Sequence, residues 1–557
     1  MTRPVVTLDG TSLCADDVVS IARHGAKVAL ADAARAQLGQ TRAYIEQHWL
    51  NDGAPLMYAF NTGVGALKSQ RIAPHEIATF QANLVLSHSA GTGEPMPEEV
   101  VRAMMALRVN AFASNHSGVR VEILDRLIAM LNAGITPVIA SKGSVGASGD
   151  LAPLALMSGA LMGLPQSRVT YQGAVMPATS AFERAHLAPT MDVQAKDATA
   201  LINGATASLA YAVLAAHDAR VLLTDATIAA AMSIEALRGE LSCFEDRVMR
   251  ARPHPGQRQV ATALRQMVSG SLRCTEPARQ LRLRGTPGLD AALAGTPHVP
   301  PLAPRIQDVY SLRCVPQVHG PVLDALQYVD GILATEMNSA TDNPLIFPEG
   351  EEGYAIVSGG HFHGQYIAQA MDLLALAVTD LGAICDRRSA RLIDPACNFG
   401  LPGNLIAQRP GINTGFSVAQ SMGTGLVLEN MGLCSPASAT SLPAKGNTED
   451  HISNSCFGAR RTRTVVDNTQ AVVAVELLLA AQALDLAERD LPAHPVGAGT
   501  AAAWRAVRTR VPAMLGDDRW LHDDLDQVKA LVADGGLAAA VQAACGPLWP
   551  ATQAVAA

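Results

Sequence analysis

The sequence predicts a mainly α protein, and three observations support that prediction. Apolar residues recur at helical spacing over long segments, with Ala and Leu favoured over the alternation of β-branched residues that strands show. Hydrophobic residues make up 49% of the 557 residues. Only 4% are aromatic, so Ala, Leu and Val must fill most of the core, which suits closely packed helices.

The helical pattern is found in six long segments, near residues 98–132, 198–240, 318–339, 363–390, 414–433 and 467–490. In the last of these, Asp467 can cap the start, and residues 472–481 are apolar nearly all round. A helix that is apolar on every side belongs inside a bundle. A shorter surface helix is expected at residues 537–544.

Prolines and glycines mark the breaks between these segments. Residues 285–304 contain five prolines and several glycines, which predicts a long loop. Residues 250–256, Arg-Ala-Arg-Pro-His-Pro-Gly, interrupt a helical pattern. We therefore expect an N-terminal domain at residues 1–240, followed at residues 241–557 by a central helical bundle and C-terminal helices.

Composition argues against several classes of protein. The net charge of -8, with Lys and Arg spread along the chain, gives no basic stripe for nucleic acid. Nine cysteines without zinc-like spacing favour a reducing cytoplasm. The N-terminus lacks a signal-peptide profile, and apolar stretches are interrupted, as by Glu476, or fall short of the roughly 18 residues that a spanning helix needs. We expect a soluble, cytoplasmic protein without a membrane segment.

Residues 143–155, Gly-Ser-Val-Gly-Ala-Ser-Gly-Asp-Leu-Ala-Pro-Leu-Ala, carry the most specific chemistry in the chain. Because Gly149 has no side chain, its amide nitrogen can attack the Ala147 carbonyl carbon and close a five-membered ring. Loss of water from Ser148 then leaves an exocyclic methylidene. That group is an electrophile that no ordinary side chain provides.

Two other interpretations of this segment stay open. Its small residues could let a loop pass close to a helix, with Asp150 acting only as an N-cap. Ser148 could instead be a hydrolase nucleophile, although the elbow motif G-x-S-x-G needs glycine where Asp150 stands. A hydrolase would be acylated at Ser148 by an active-site probe, whereas cyclisation makes the denatured chain lighter by two waters.

The same segment resembles the signature of the aromatic amino acid lyase family, and the resemblance continues in order from about Met57 to Asn454. It implies a lyase-like fold in which the N-terminal domain bears the electrophile. It also implies that a methylidene-imidazolone (MIO) ring forms autocatalytically from Ala147, Ser148 and Gly149, with no external cofactor. A homotetramer with active sites shared between subunits is expected.

The resemblance assigns roles to three residues in the first half of the chain. Tyr58 lies in a loop similar to the one whose tyrosine removes the substrate β-proton, a role that requires positive charge or donors near the phenol. His88 follows Ser87 as in the histidine-specific members, and Asn203 matches an asparagine that binds the ring or the amino group. Taken singly, these residues also have structural interpretations, as a packed tyrosine, a hydrogen-bonding histidine and a turn asparagine.

Residues 305–314 form the second strongest match. Arg313 is expected to bind the substrate carboxylate through two hydrogen bonds. Gln307 is expected to contact the ring or the carboxylate, and Tyr310 to support proton movement near the electrophile. Because spacings of three also suit one face of a helical turn, a structural role for Gln307 and Tyr310 stays open.

Residues 358–364 resemble a glycine-rich loop of the family, with Phe362 as the aromatic wall of the pocket and His361 where asparagine is usual. His361 and His363 could bind a metal ion, but no third ligand has convincing spacing, so no metal is expected.

Glu449 corresponds to a glutamate that contacts the substrate imidazole, because a carboxylate stabilises positive charge on that ring. Thr448 replaces a glutamine of the family, and Lys445 could pair with Glu449 and weaken that contact. Together these features predict a carbon–nitrogen lyase that converts L-histidine to urocanate and ammonia. The alternatives are a lyase or 2,3-aminomutase acting on phenylalanine or tyrosine and, with less support, a non-catalytic binding or scaffold protein.

Overall fold

The structure, a computed structural model, describes residues 5–286, 302, 305–350, 353–444 and 449–550. The chain packs into two compact units, and each is built from three separate stretches of sequence. Unit 1 comprises Met1–Ala215, Val329–Asp372 and Pro436–Arg463. Unit 2 comprises Ala216–Tyr328, Leu373–Ser435 and Thr464–Ala557. The predicted division near residue 240 differs from this arrangement, since residues on both sides of it belong to unit 2.

The helices before residue 286 are α1 (Ala15–His24), α2 (Asp32–His48), α3 (Ile77–His88), α4 (Glu98–Ala113), α5 (Val121–Ala133), α6 (Leu151–Met162), α7 (Ala178–Arg184), α8 (Asp197–Ile202), α9 (Thr206–Ala236), α10 (Asp246–Ala251), α11 (Pro255–Met267) and α12 (Glu276–Gln280). Those after residue 305 are α13 (Tyr310–Arg313), α14 (Val315–Met337), α15 (Gln365–Ile393), α16 (Ser417–Leu433), α17 (Ser455–Glu488), α18 (Ala498–Arg510), α19 (Leu521–Ala533) and α20 (Gly536–Cys545).

The strands are short and form small ribbons. Strand β1 (Val5–Leu8) pairs in parallel with β2 (Lys27–Leu30). The other pairs are antiparallel: β3 (Thr92–Pro95) with β5 (Ala140–Lys142), β4 (Thr136–Pro137) with β6 (Arg168–Tyr171), β6 with β7 (Ala174–Pro177), and β8 (Leu345–Glu349) with β9 (Gly353–Val357). In the last ribbon Leu345 lies opposite Val357. The prediction of a mainly α fold is therefore confirmed.

The helix positions follow the predicted pattern, but two predicted segments are divided and one start is wrong. The segment at 98–132 is two helices, because the backbone reverses at Asn115 and Gly118, whose φ angles are 63° and 67°. The segment at 198–240 is interrupted at residues 203–205, between α8 and α9. Helix α17 begins at Ser455, so Asp467 lies inside it and does not cap it. The C-terminal surface helix is confirmed as α20.

Two helices in the described part of the chain, α15 and α17, are long and apolar enough to cross a membrane, and α19 and α20, bent by 61°, could count as a third span. In α15 and α17 the most apolar windows are 67% and 89% buried inside the protein. Their apolar surface is therefore used mainly for packing inside the protein.

Candidate active site

A cavity of about 720 Å³ lies in unit 1 and brings together seven of the residues that the sequence singles out. They are Tyr58, His88, Ala147, Ser148, Asn203, Phe362 and Glu449. These residues are far apart in sequence, so their convergence on one cavity is a property of the fold. A concave site with a few convergent polar groups is the usual form of a small-molecule site.

Tyr58 stands on a loop that the core of unit 1 holds in place. Phe60 packs edge-on against Trp49, with 5.6 Å between ring centroids, and both side chains are buried. Asn61 closes the turn, since its Oδ1 accepts a hydrogen bond from the Met57 amide at 2.8 Å. The Tyr58 hydroxyl accepts a hydrogen bond from the Gly65 amide at 3.2 Å. One backbone donor is thus in place to stabilise a phenolate.

The fully buried Gln81 connects this loop to the helix that leads to Asn203. Its Nε2 donates to the Ala59 carbonyl at 3.3 Å, while its Oε1 accepts from the Ala198 and Thr199 amides at 2.9 and 3.2 Å. Gln81 therefore couples the position of Tyr58 to the first turn of α8. Gln81 could not be singled out from the sequence, because an isolated glutamine in a helix carries no motif.

The Ala147-Ser148-Gly149 backbone is clamped against the backbone at Gly204. The Gly204 amide donates to the Ser148 carbonyl at 3.3 Å, and the Asp150 amide donates to the Gly204 carbonyl at 2.8 Å. Gly149 has a φ of +73°, and a Cβ atom there would lie 2.1 Å from the Gly204 carbonyl carbon. Glycine is therefore required at position 149 on both conformational and steric grounds.

Asp150 does not cap α6 with its side chain, as the simpler interpretation of this segment supposed. The buried carboxylate instead accepts hydrogen bonds from the Ser208 amide at 2.7 Å and from the Ser144 hydroxyl at 2.6 Å. It thus joins the segment before the tripeptide to the first turn of α9. Burial raises the pKa of Asp150, and the hydrogen bonds from these serines oppose that effect.

The Ser148 hydroxyl donates to Glu449 Oε1 at 2.7 Å. Glu449, the predicted partner of the substrate imidazole, therefore contacts the tripeptide directly. His88, at the C-terminal end of α3, has its Nδ1 2.9 Å from the Leu84 carbonyl, so a proton on that nitrogen is shared with the backbone. Lys445 and Thr448, which bear on the role of Glu449, lie outside the described residues.

Five further polar residues line the cavity without a predicted role in substrate binding: Thr199, Asn343, His363, Asp450 and His451. The two histidines face each other, with 3.5 Å between His363 Nε2 and His451 Nδ1. His363 was considered only as a possible metal ligand beside His361, which is exposed and is not among the residues that line the cavity. Across the described residues, no group of three or more His, Cys, Asp or Glu side chains is arranged to hold a metal ion.

Gln307, Tyr310 and Arg313 form a cluster of their own in unit 2. Arg313 lies over the Tyr310 ring at 4.7 Å, and Arg313 Nε donates to the Asp308 carbonyl at 2.9 Å. With its amide oxygen turned toward Arg313, Gln307 accepts a hydrogen bond from Nη1 at 2.9 Å. Tyr310 is 72% exposed. The structure brings these three residues together, but none of them lines the unit 1 cavity, in which their substrate contacts are expected from the sequence.

Comparison with known proteins agrees with this geometry. The family model described as aromatic amino acid lyase matches residues 13–509. The chain belongs to this family. A histidine ammonia-lyase of Gloeobacter violaceus is 42% identical to this aromatic amino acid lyase over 543 residues, which is 98% of each chain. These similarities make the protein a carbon–nitrogen lyase.

Two solved structures show how widely this lyase fold is shared. The histidine ammonia-lyase of Trypanosoma cruzi superposes with a TM-score of 0.83 at 35% identity, covering 98% of this chain and 96% of its own. A tyrosine aminomutase of Streptomyces globisporus superposes with a TM-score of 0.86 at 34% identity, covering 97% and 99%. The fold alone therefore does not distinguish these activities.

Proposed function

We propose that this lyase eliminates ammonia from L-histidine to give urocanate, using an MIO ring that forms autocatalytically from the Ala147-Ser148-Gly149 tripeptide. The observation that carries the proposal is the unit 1 cavity, in which Tyr58, Asn203 and Glu449 converge on that tripeptide. The relative named histidine ammonia-lyase, which matches over nearly the full length, supports the choice of substrate.

The surroundings of the tripeptide fit ring formation from these residues. Ala147 is buried and Gly149 has no side chain to obstruct the approach of its nitrogen to the Ala147 carbonyl carbon. The hydroxyl that must leave as water donates to the Glu449 carboxylate at 2.7 Å. The ring would supply an electrophile to this cavity. No external cofactor and no metal are part of the proposal.

The cavity side chains then have distinct roles. Tyr58, with the Gly65 amide at its oxygen, takes the β-proton. Asn203 accepts a hydrogen bond from the substrate ammonium group. Glu449 and His88 bind the imidazole. Phe362 provides an apolar wall.

The remaining groups come from a second copy of the chain in this proposal. Gln307, Tyr310 and Arg313 are not part of the unit 1 cavity, although Arg313 supplies the fixed pair of donors that suits a carboxylate. We infer a homotetramer in which these residues complete the site of a neighbouring subunit. We also infer a cytoplasmic location and no nucleic-acid or membrane partner.

The test is to mix purified protein with L-histidine and to follow the ultraviolet absorbance of a conjugated product. Wild-type protein is expected to turn over histidine, and its denatured mass is expected to be lighter than the sequence mass by two waters. Ser148→Ala should retain the full mass of its own sequence and lose turnover. An unmodified mass in active wild-type protein would contradict ring formation.

A lyase or aminomutase acting on tyrosine or phenylalanine is the second candidate, because the tyrosine aminomutase structure superposes as well as the histidine ammonia-lyase structure. Incubation with each amino acid, followed by separation of the α,β-unsaturated acid from any β-amino acid, distinguishes the activities. Turnover of tyrosine or phenylalanine without turnover of histidine would exclude the histidine assignment and leave the ring chemistry intact.

A further inference from the structure

The side-chain amide of Asn203 has a fixed orientation. Its Nδ2 donates to Asp342 Oδ1 at 3.2 Å and to the Asn343 carbonyl at 3.0 Å. Both hydrogens of the NH₂ group are therefore used by groups that accept hydrogen bonds. A reversed amide would place its oxygen against two acceptors, which is unfavourable. Because Asn203 lines the cavity, its Oδ1 is the atom presented to a substrate.

Asp342 is itself held by a buried lysine. Lys196 Nζ lies 2.6 Å from Asp342 Oδ2, and the two side chains are 0% and 1% exposed. The ammonium group also donates to the Pro344 carbonyl at 2.6 Å and to the Ser117 carbonyl at 3.3 Å. These three contacts match the three hydrogens of the ammonium group. Lys196 therefore has no hydrogen left for a substrate and acts only on the protein around it.

The two carboxylate oxygens of Asp342 have separate partners. Oδ2 pairs with Lys196, whereas Oδ1 accepts from Asn203 and from the Asn343 amide, the latter at 2.6 Å. A buried ion pair is a weak source of stability, because removing two charges from water offsets most of their attraction. Here the ion pair fixes the direction of the hydrogen bonds to Asp342, since an ion-paired carboxylate accepts hydrogen bonds and does not donate them.

We propose that the Lys196–Asp342 ion pair positions Asn203 as an obligatory hydrogen-bond acceptor, which selects ligands that carry an ammonium group at this point of the cavity. Neither Lys196 nor Asp342 touches the substrate. The inference rests on the proposed function only for the identity of the amino acid. The orientation of the Asn203 side-chain amide does not depend on which ring the substrate carries.

The test compares two ligands that differ only in the amino group. The first is L-histidine, measured through its KM, and the second is imidazolepropanoate, the same skeleton without the amine, measured through its inhibition constant. In Asp342→Asn the new amide can present its own NH₂ to Asn203, so that only the Asn343 carbonyl still favours the original orientation of the Asn203 side chain. We expect the histidine KM to rise about 10-fold to 100-fold, the range for losing a hydrogen bond to a charged group. Imidazolepropanoate should inhibit as in wild type.

Two further variants keep the test decisive. Asp342→Asn alone leaves the Lys196 charge buried without its partner, so Lys196→Met combined with Asp342→Asn removes both charges and avoids an uncompensated ion. The double variant should show the same selective loss. Asp372→Asn is the matched control, because Asp372 and Arg461 form another buried ion pair of unit 1 and neither residue lines the cavity. It should leave the ratio of the two constants unchanged.

A merely structural role would raise the histidine KM and the imidazolepropanoate constant together, and that result would overturn the proposal. An unchanged histidine KM in the double variant would overturn it as well. If wild-type protein turns over tyrosine instead of histidine, the proposed function fails, and the same comparison is made with tyrosine and hydroxyphenylpropanoate. The selectivity for the amine is then judged by the same ratio.

Discussion

At the scale of single residues, the site depends on groups whose function comes from their backbone partners. Tyr58 illustrates this, because the Gly65 amide donates to its hydroxyl while buried aromatic packing at Phe60 and Trp49 fixes the loop. Phenylalanine has the same shape as the Tyr58 side chain apart from the hydroxyl oxygen. The Tyr58 oxygen can therefore be removed with little effect on packing.

Tyr58→Phe is expected to lower kcat by roughly 10²–10⁴-fold, the usual contribution of a positioned general base. The inhibition constant of imidazolepropanoate should change little, because the aromatic ring is kept. Steady-state kinetics with both compounds measure the two effects. Tyr44→Phe, in the same aromatic cluster but outside the cavity, is the control and should retain activity. Full activity of Tyr58→Phe would show that another group removes the proton.

Seven of the residues that line the cavity could be singled out from the sequence, because they lie in motifs with distinctive chemistry. Their supports could not. Lys196, Asp342 and Gln81 are ordinary polar residues until the fold buries them, and each has a partner more than 100 residues away in the chain. The number of hydrogen bonds that each makes depends on that burial, which no local pattern encodes.

At the scale of helices, periodicity predicted where helices lie but not where they begin. The start of α17 at Ser455 instead of Asp467 shows why, since tertiary packing against Gly146 and Gly364 extends the helix beyond its apolar run. The serines at 453 and 455 leave no space for a Cβ atom at either glycine. A helix start that is fixed by such distant contacts has no local signal.

Helix α14 offers a prediction about pH. Burial raises the pKa of Glu336 from 4.5 to about 7. A raised pKa means that this group favours the folded state at low pH, with the contribution complete below about pH 4.5 and lost as pH rises through about 7. Glu336→Gln removes the titration. The variant should gain stability over wild type between pH 5 and pH 8, by up to about 3 kcal/mol.

Urea unfolding at pH 5 and pH 8 measures that difference. The exposed Glu429→Gln substitution on α16 is the control and should show no comparable change between the two pH values. A stability difference between Glu336→Gln and wild type that is the same at both pH values would mean that Glu336 does not titrate with folding in this range.

At the scale of the whole molecule, a buried ion pair in unit 2 accounts for the charged residue within the apolar run at residues 472–481. Glu476 of α17 and Arg388 of α15 are both 0% exposed, and Arg388 Nε lies 2.6 Å from Glu476 Oε1. Ser233 of α9 donates to the same carboxylate at 2.6 Å. The carboxylate that interrupts residues 472–481 therefore joins three long helices.

Glu476→Gln should destabilise the protein by about 3–5 kcal/mol, because it leaves the Arg388 charge buried without a partner. Replacing both residues, with Arg388→Met and Glu476→Leu, should cost less than the single change, since no uncompensated charge is left. Chemical unfolding followed by circular dichroism compares the three proteins. A double variant less stable than Glu476→Gln would show that the ion pair itself stabilises unit 2.

The proposed sharing of sites between subunits predicts complementation. Tyr58→Phe alters the unit 1 cavity, whereas Arg313→Ala alters the separate cluster in unit 2. Each variant alone should be nearly inactive. Co-production of the two chains should restore part of the activity, because some sites in a mixed oligomer combine an intact Tyr58 with an intact Arg313. Activity that stays at the level of the single variants would mean that each site is completed within one chain.

The clamp between Gly149 and Gly204 also bears on when the reactive alkene of the proposed ring can form. Its two hydrogen bonds join residues more than 50 positions apart, so the clamp exists only after folding. We therefore expect an unfolded or partly synthesised chain to carry an ordinary peptide at this point, which does not alkylate nearby thiols or amines. We expect the reactive alkene to form only after folding, inside a cavity that already restricts access to it.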